Sequence, residues 1–217
     1  MRIPFNLPAC DKCGAENYAW VNLHDDSIEY RCSCGEDLSG SIDDITVGYR
    51  ALYRSEYELL KNNDYSLSIV FSAAAFEWEL RRLHNKWLNI EYLSEGKEIS
   101  DKELDDIFRK NSRIVDKIKA AGKMLYPEGV ERFVSDRGEL KKIIEEGYPS
   151  LTINDFINSI KEQLFWPRNR IIHSFYSEYD RSTAIKCYNV ALLGLFIMHS
   201  MDQYKRNEAE ELETGLD

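Results

Sequence analysis

Apolar residues recur at spacings of three and four along most of the chain after residue 41, which predicts a succession of helices. The clearest of these helices begins near Asp64 and carries six apolar residues at alternating spacings of four and three. Such a narrow seam is typical of a helix that packs lengthwise against another helix. Its members are Ile69, Ala73, Phe76, Leu80, Leu83 and Trp87.

The same periodicity, with its interruptions, organises the rest of the chain. Ser41 and Asp44 form a capping signal that predicts a boundary between residues 1–40 and a helical region, and Asn62 and Asn63 are predicted to stop its first helix. Residues 94–150 are interpreted as a possible insertion, and the acidic residues 207–217 as a disordered tail. The predicted helices span about 42–61, 64–93, 101–121, 139–146, 152–165 and 181–206.

The last predicted helix is apolar nearly all round over residues 190–198, which indicates the buried centre of a bundle or a dimer interface. That run is far shorter than the ~20 residues needed to cross a bilayer. Residues 1–6 lack the apolar stretch of a signal peptide. We therefore expect a cytoplasmic protein with no membrane segment and with reduced cysteines.

Four of the five cysteines lie within the first 34 residues, at Cys10, Cys13, Cys32 and Cys34. Each pair is followed by glycine, and residues 18–23 and 27–32 between the pairs are predicted to form a hairpin. The pattern resembles a zinc ribbon, although the second pair has a single intervening residue. Four thiolates saturate Zn²⁺ and leave no open position, so the metal would be structural. Disulfides or free thiols are the alternatives, and His24 is a possible substitute ligand.

The formal net charge of −10 is the opposite of what a general nucleic-acid binder carries, because such proteins gain affinity by neutralising phosphates. The cysteine-rich segment is itself acidic, so a protein contact suits it better than RNA does. Any nucleic acid must therefore bind at a local basic patch.

The strongest candidate for such a patch is residues 166–173, where Arg168, Asn169 and His173 follow Pro167 at helical spacing. Proline is tolerated at a helix start, so we expect a kink or a new helix N-terminus at this point, where backbone amides favour anions. The alternative is a purely structural role, in which Arg168 pairs with a carboxylate and His173 covers a packing surface. Arg170, Tyr176 and Glu77 are weaker candidates for substrate contact.

Glu77 itself has two interpretations: a surface ion-pair partner, or a buried carboxylate that fixes a site arginine. His84 is predicted to be a half-exposed helical residue without a role. His199 and Cys187 are interpreted as packing residues rather than as ligands or nucleophiles.

Arg168, Asn169 and His173 are suited to cleaving a phosphodiester without a metal. A histidine can accept the proton of a ribose 2′-OH or protonate the leaving oxygen, while arginine stabilises the charge on phosphorus and the amide holds the phosphate. One histidine cannot easily serve on both sides of the phosphorus. Two copies related by a twofold axis can, so this chemistry predicts a homodimer.

The Arg-Asn-x-x-x-His sequence of residues 168–173, in a helical region ahead of a long apolar helix, resembles the HEPN family of prokaryotic ribonucleases. The resemblance implies a HEPN-like dimeric helical bundle over residues 41–206. It also implies metal-independent cleavage of single-stranded RNA to a 2′,3′-cyclic phosphate, in toxin–antitoxin or phage-defence systems, with a possible antitoxin as partner. Some relatives carry a tyrosine two residues after the histidine, where this chain has Phe175.

Two functions follow from these observations. The first is a homodimeric HEPN-type endoribonuclease with a structural zinc ribbon, on a fold that is mainly α with a small β segment. The second is a non-catalytic adaptor, whose helical bundle binds a protein or nucleotide partner, since some members of the family are inactive binding modules.

Overall fold

The chain divides into two compact units, Met1–Thr46 and Val47–Asp217, in this computed structural model. Cys10, His24, Asp44 and Tyr176 lie outside the described residues. The residues that the structure describes are 2–7, 12–13, 17–22, 27–28, 32, 34–36, 40–41, 47–147, 155–174 and 178–214.

The described part of the first unit contains two small antiparallel sheets. Strand β1 (Arg2–Leu7) pairs with β2 (Asn17–Asn22) from Arg2 opposite Asn22 to Leu7 opposite Asn17, and β3 (Ser27–Ile28) pairs with β4 (Gly40–Ser41). Among the described residues, β2 and β3 do not pair with each other: β2 pairs with β1 over six residues, and β3 pairs with β4. Residues 23 and 29–31 of the predicted hairpin lie outside the described part of the chain. The zinc-ribbon fold stays a prediction.

The second unit confirms the mainly helical fold. Two five-residue π-helical segments, Glu58–Asn62 and Lys161–Phe165, interrupt the α-helices. The α-helices of its described residues are α1 (Val47–Tyr57), α2 (Tyr65–Ser94), α3 (Asp101–Lys110), α4 (Ile114–Leu125), α5 (Val130–Asp136), α6 (Gly138–Gly147), α7 (Phe156–Ile160), α8 (Trp166–Ser174) and α9 (Arg181–Thr214).

Helix α2 is central to this unit and packs against α1, α3, α4, α8 and α9. Its predicted boundary is confirmed: Asn63 ends the preceding helix in the left-handed conformation (φ 54°), and the Asp64 carboxylate accepts a hydrogen bond from the Leu67 amide at 2.8 Å. All six residues of the predicted seam are buried. At about 1.5–3 kcal/mol for each large apolar side chain, this seam is a major source of stability.

Close approach of α9 to α2 depends on Gly194. A Cβ atom at this position would lie 2.5 Å from Cε2 of Phe76, so any larger residue would displace that ring. On length and composition alone, Arg181–Ala209 could cross a membrane, yet most of its apolar window is buried within the unit. Burial on several sides is what the all-round apolar pattern predicts for a core helix.

The single helix predicted over residues 101–121 is wrong, because the structure contains two helices there. α3 begins with a capping box between Ser100 and Glu103, and the chain leaves the helix at residues 111–113 before α4 begins. Asn111 and Ser112 are residues that compete with helical hydrogen bonds, which explains the break. α4 then packs against both α2 and α9.

Pro167 lies in a helix that continues from α7 through the π-helical segment into α8. The predicted new helix N-terminus at Pro167 is therefore wrong, because the helix continues through this residue. The other predicted outcome, a kink, stays a prediction, and the π-helical segment just before the proline is a local irregularity that can carry one. Proline has no N–H to donate to the carbonyl four residues earlier, that of Gln163. This carbonyl accepts the Cys187 Sγ–H at 3.0 Å instead.

Helix α9 begins where Asp180 accepts a hydrogen bond from the Thr183 amide at 2.8 Å. It continues to Thr214, past the predicted end at Arg206 and into the predicted disordered tail. Residues 208–213 are mostly glutamate, alanine and leucine, which are good helix formers.

Candidate functional site

A cleft of about 550 Å³ lies between the beginning of α4 and the α7–α8 region, and Glu77 of α2 also lines it. The first turn of α4 contributes Arg113 and Lys117, while the other side contributes Lys161, Arg168 and others. The cleft therefore brings the predicted motif together with a segment more than fifty residues earlier in the chain.

The cleft is locally basic in an acidic protein. Its ionisable lining consists of four basic residues and two acidic ones. Two of the basic groups are already paired, because Lys117 Nζ lies 2.6 Å from Glu77 Oε1 and Lys161 Nζ lies 2.8 Å from Glu162 Oε1. Within the described part of the chain, the guanidinium groups of Arg113 and Arg168 have no carboxylate within 4.0 Å.

Arg168 and Asn169 contact each other, as Arg168 Nη1 donates a hydrogen bond to Asn169 Oδ1 at 2.9 Å. The half-buried Arg168 lies at the edge of the outward face of α8, on which Asn169 is exposed. His173 lies one turn beyond Asn169 and is exposed, but it does not line the cleft. A single chain thus presents the arginine and the amide at the cleft, and the histidine on the surface beside it.

The outward face of α8 also carries apolar side chains. Trp166 is 51% exposed and Ile172 is 40% exposed. The Arg170 guanidinium lies 5.0 Å from the centroid of the Trp166 ring, in a cation–π contact. Exposed aromatic and aliphatic residues beside polar ones are common where a partner or ligand binds.

Glu77 is an ion-pair partner, as the first of its two interpretations holds, and its partner is Lys117 rather than an arginine of the motif. The Lys117 ammonium also lies 4.8 Å from the ring centroid of Phe108. Glu77 therefore helps to hold α4 against α2. It also lines the cleft, but among the described ion pairs none joins it to Arg168.

Cys13, Cys32 and Cys34 form a cluster in which the three Sγ atoms lie within 4.8 Å of one another. The Sγ atoms of Cys13 and Cys32 are 3.5 Å apart, too far for a disulfide bond. A Zn–S distance of about 2.3 Å implies a separation of roughly 3.8 Å between thiolates in a tetrahedron. Three of the four predicted ligands thus have positions that fit one face of a zinc site.

A buried polar network escaped the sequence analysis. Glu79, which is 1% exposed, accepts hydrogen bonds from Arg82 Nε (2.9 Å) and Nη2 (2.6 Å), and His199 Nε2 lies 2.8 Å from the same oxygen. Burial alone would raise the pKa of Glu79, but His199 and Arg82 outweigh it and lower the pKa to about 2. His199 thus contacts the Glu79 carboxylate as well as packing in the core.

Burial and the neighbouring Glu79 both raise the pKa of Tyr49, whose ring lies 5.1 Å from that of His199. His84, predicted to be half-exposed, is buried instead against Phe108, with ring centroids 5.3 Å apart, and this burial lowers its pKa. Their partners lie on distant segments, so no local signal in the sequence indicated these contacts.

Comparisons with known proteins add no relatives. No family model matches the chain, and neither do the curated proteins or the solved structures with which it was compared. The geometry of the cleft and of the motif therefore carries the functional assignment.

Proposed function

We propose that the chain is a metal-independent endoribonuclease of the HEPN type that acts as a homodimer. The observation that supports this most is Arg168: its guanidinium contacts Asn169, has no carboxylate partner among the described residues, and lines a basic cleft. An arginine that only stabilised the fold would be expected to pair with an acid in so acidic a protein. An unpaired arginine is instead ready to receive a phosphate.

The reaction needs one base and one acid. The 2′-oxygen of a ribose attacks the adjacent phosphorus while one His173 imidazole takes its proton, and the bond from phosphorus to the 5′-oxygen breaks. The partner's His173, in its protonated form, gives a proton to that leaving 5′-oxygen. The products are a 2′,3′-cyclic phosphate and a 5′-hydroxyl. Arg168 stabilises the added negative charge on the phosphoryl oxygens, and Asn169 holds the phosphate.

The exposed position of His173 suits a site completed by a second chain. Ile172 exposes apolar surface on the same helix, outside the cleft, which is where a twofold partner would bring its own α8. The adaptor function remains the alternative, with α8 binding a different protein or a nucleotide. It predicts binding without any change in the RNA.

We also propose that Cys13, Cys32 and Cys34, together with Cys10, hold a structural zinc ion. Metal analysis of the purified protein should find stoichiometric zinc, which Cys32→Ser removes. Cys187→Ser is the matched control, because this cysteine is buried in the helical unit and lies outside the thiol cluster. Zinc-free wild-type protein would exclude the site.

The nuclease is tested with single-stranded RNA in the presence of EDTA. The wild-type protein should produce fragments that end in a 2′,3′-cyclic phosphate, and His173→Ala should not. Arg132→Ala is a control for general surface effects, since Arg132 is exposed and pairs only with Asp136 among the described carboxylates. Retained cleavage in His173→Ala would show that this histidine is not the acid or base.

A further inference from the structure

The cleft contains basic residues that do not belong to the motif. Arg113 is the N-cap residue of α4, and Lys161 is in the π-helical segment before α8. Both line the same cleft as Arg168.

We propose that this cleft is a binding subsite for a neighbouring phosphate of the RNA strand, held chiefly by Arg113, with Lys161 alongside it. The inference rests on the proposed function for the identity of the strand. In the proposed reaction the cleaved phosphate is held at the edge of the cleft by Arg168 and Asn169, next to His173, which does not line the cleft. The subsite therefore binds a flanking nucleotide and not the reacting one.

Charge makes Arg113 the main residue of the subsite. Lys117 is neutralised by Glu77, and Lys161 is partly neutralised by Glu162. Arg113 is exposed and has no ion-pair partner among the described residues. A guanidinium in this state can bind two phosphate oxygens at once. The acidic groups in the lining, Glu77 and the exposed Asp116, repel an anion that lies close to them.

The shape of the cleft favours a nucleotide over a simple anion. Its volume of about 550 Å³ lies within the range of small-molecule sites, and Phe165 and Trp166 form an apolar part of its wall. Trp166 remains half exposed, so a base next to the bound phosphate can stack on its ring. A single strand can present such an unstacked base, whereas a duplex cannot.

The test measures binding separately from cleavage. In the His173→Ala background, a short fluorescein-labelled single-stranded oligoribonucleotide is titrated at several salt concentrations, with anisotropy as the readout. Adding Arg113→Ala should weaken binding about three- to tenfold and lower the slope of log K against log salt by about 0.7, the loss of one phosphate contact. Lys161→Ala should act in the same direction with a smaller effect.

Arg109→Ala is the matched control, because Arg109 is an exposed arginine at the end of α3 that does not line the cleft. Circular dichroism should show that each variant is folded, as expected for changes at exposed positions. If Arg113→Ala and Arg109→Ala bind with the same affinity and the same salt slope, the subsite is excluded.

The result also separates the subsite from the proposed function. Loss of affinity in Arg113→Ala, in a protein whose wild type cleaves no RNA, would keep the subsite and reject the nuclease. If the wild type cleaves RNA and Arg113→Ala binds RNA with unchanged affinity, the nuclease is kept and the subsite is rejected. AMP that binds as tightly as the oligonucleotide would overturn the assignment of the ligand as a strand.

Discussion

Two groups of charged residues in the helical unit have opposite environments. In the buried contacts of α2 with α9, every described carboxylate is close to a cation: Glu79 contacts Arg82 and His199, and Asp202 contacts Lys86 and Arg206. At the cleft beside α8, Arg113 and Arg168 have no such partner among the described residues. Buried ions must be paired if the fold is to be stable, so unpaired guanidinium groups at a cleft indicate binding rather than folding.

Substitutions at the buried ion pairs of Glu79 and Asp202 should lower the free energy of unfolding and leave the RNA cleavage activity per folded molecule unchanged. Asp202 accepts hydrogen bonds from Lys86 Nζ (2.8 Å) and Trp87 Nε1 (2.5 Å). Asp202→Ala leaves both donors without this acceptor, so the free energy of unfolding should fall by about 3–5 kcal/mol. Urea denaturation measures the change, and an unaltered midpoint would show that the buried pair does not stabilise the fold.

Arg168→Ala should lower the activity and leave the stability nearly unchanged. We expect the rate of RNA cleavage to fall roughly 10²- to 10³-fold, the usual effect of removing one donor to a developing charge. The free energy of unfolding from urea denaturation should stay within about 0.5 kcal/mol of wild type, because Arg168 has no ion pair with any described carboxylate. A large loss of stability would place Arg168 in the structural group.

Glu79 should make stability depend on acid. Its pKa of about 2 in the folded protein lies below the ordinary 4.5, so its contribution is fully present above about pH 4.5 and is lost as the pH falls towards 2. In Glu79→Gln the acid-dependent loss of stability should be smaller, by on the order of 2–3 kcal/mol between pH 6 and pH 2. Glu98→Gln, at an exposed loop position, should leave the profile unchanged.

The smallest effect is expected at Glu77. This carboxylate is 30% exposed in its pair with Lys117, so Glu77→Gln should cost no more than about 1 kcal/mol of stability. Because the change releases Lys117 and removes a negative charge from the cleft, RNA should bind slightly more tightly. Anisotropy titration checks this, and weaker binding would show that Glu77 helps to hold the substrate.

Much of the helical fold follows from local patterns in the sequence. The α2 seam, the stop at Asn63 and the start at Asp64 depend on side-chain spacing and capping within a few residues. The break before Arg113 was missed because the apolar spacing stays in phase from Leu104 to Ile118, although Asn111 and Ser112 were a usable signal.

Contacts between residues that are far apart in the chain could not be predicted from the sequence. Glu79 and His199 are 120 residues apart, and Arg113 reaches the cleft of Arg168 through the packing of α4 against α2, α7 and the π-helical segment Lys161–Phe165. The contact between Arg168 and Asn169 could be expected from the sequence because the two residues are adjacent in the chain. The sequence does not indicate that Arg113, Lys117 and Lys161 line the same cleft, because nothing near them in the chain distinguishes them from other surface charges.

The proposal that two chains share one site is tested most directly by mixing subunits. Equal amounts of wild-type and His173→Ala chains are refolded together. The rate of RNA cleavage is compared with that of wild-type protein alone at the same total concentration of chains. If each site needs a histidine from both chains, mixed dimers are inactive and about a quarter of the activity should remain. Retention of about half would contradict the shared site, because each wild-type chain would then act alone.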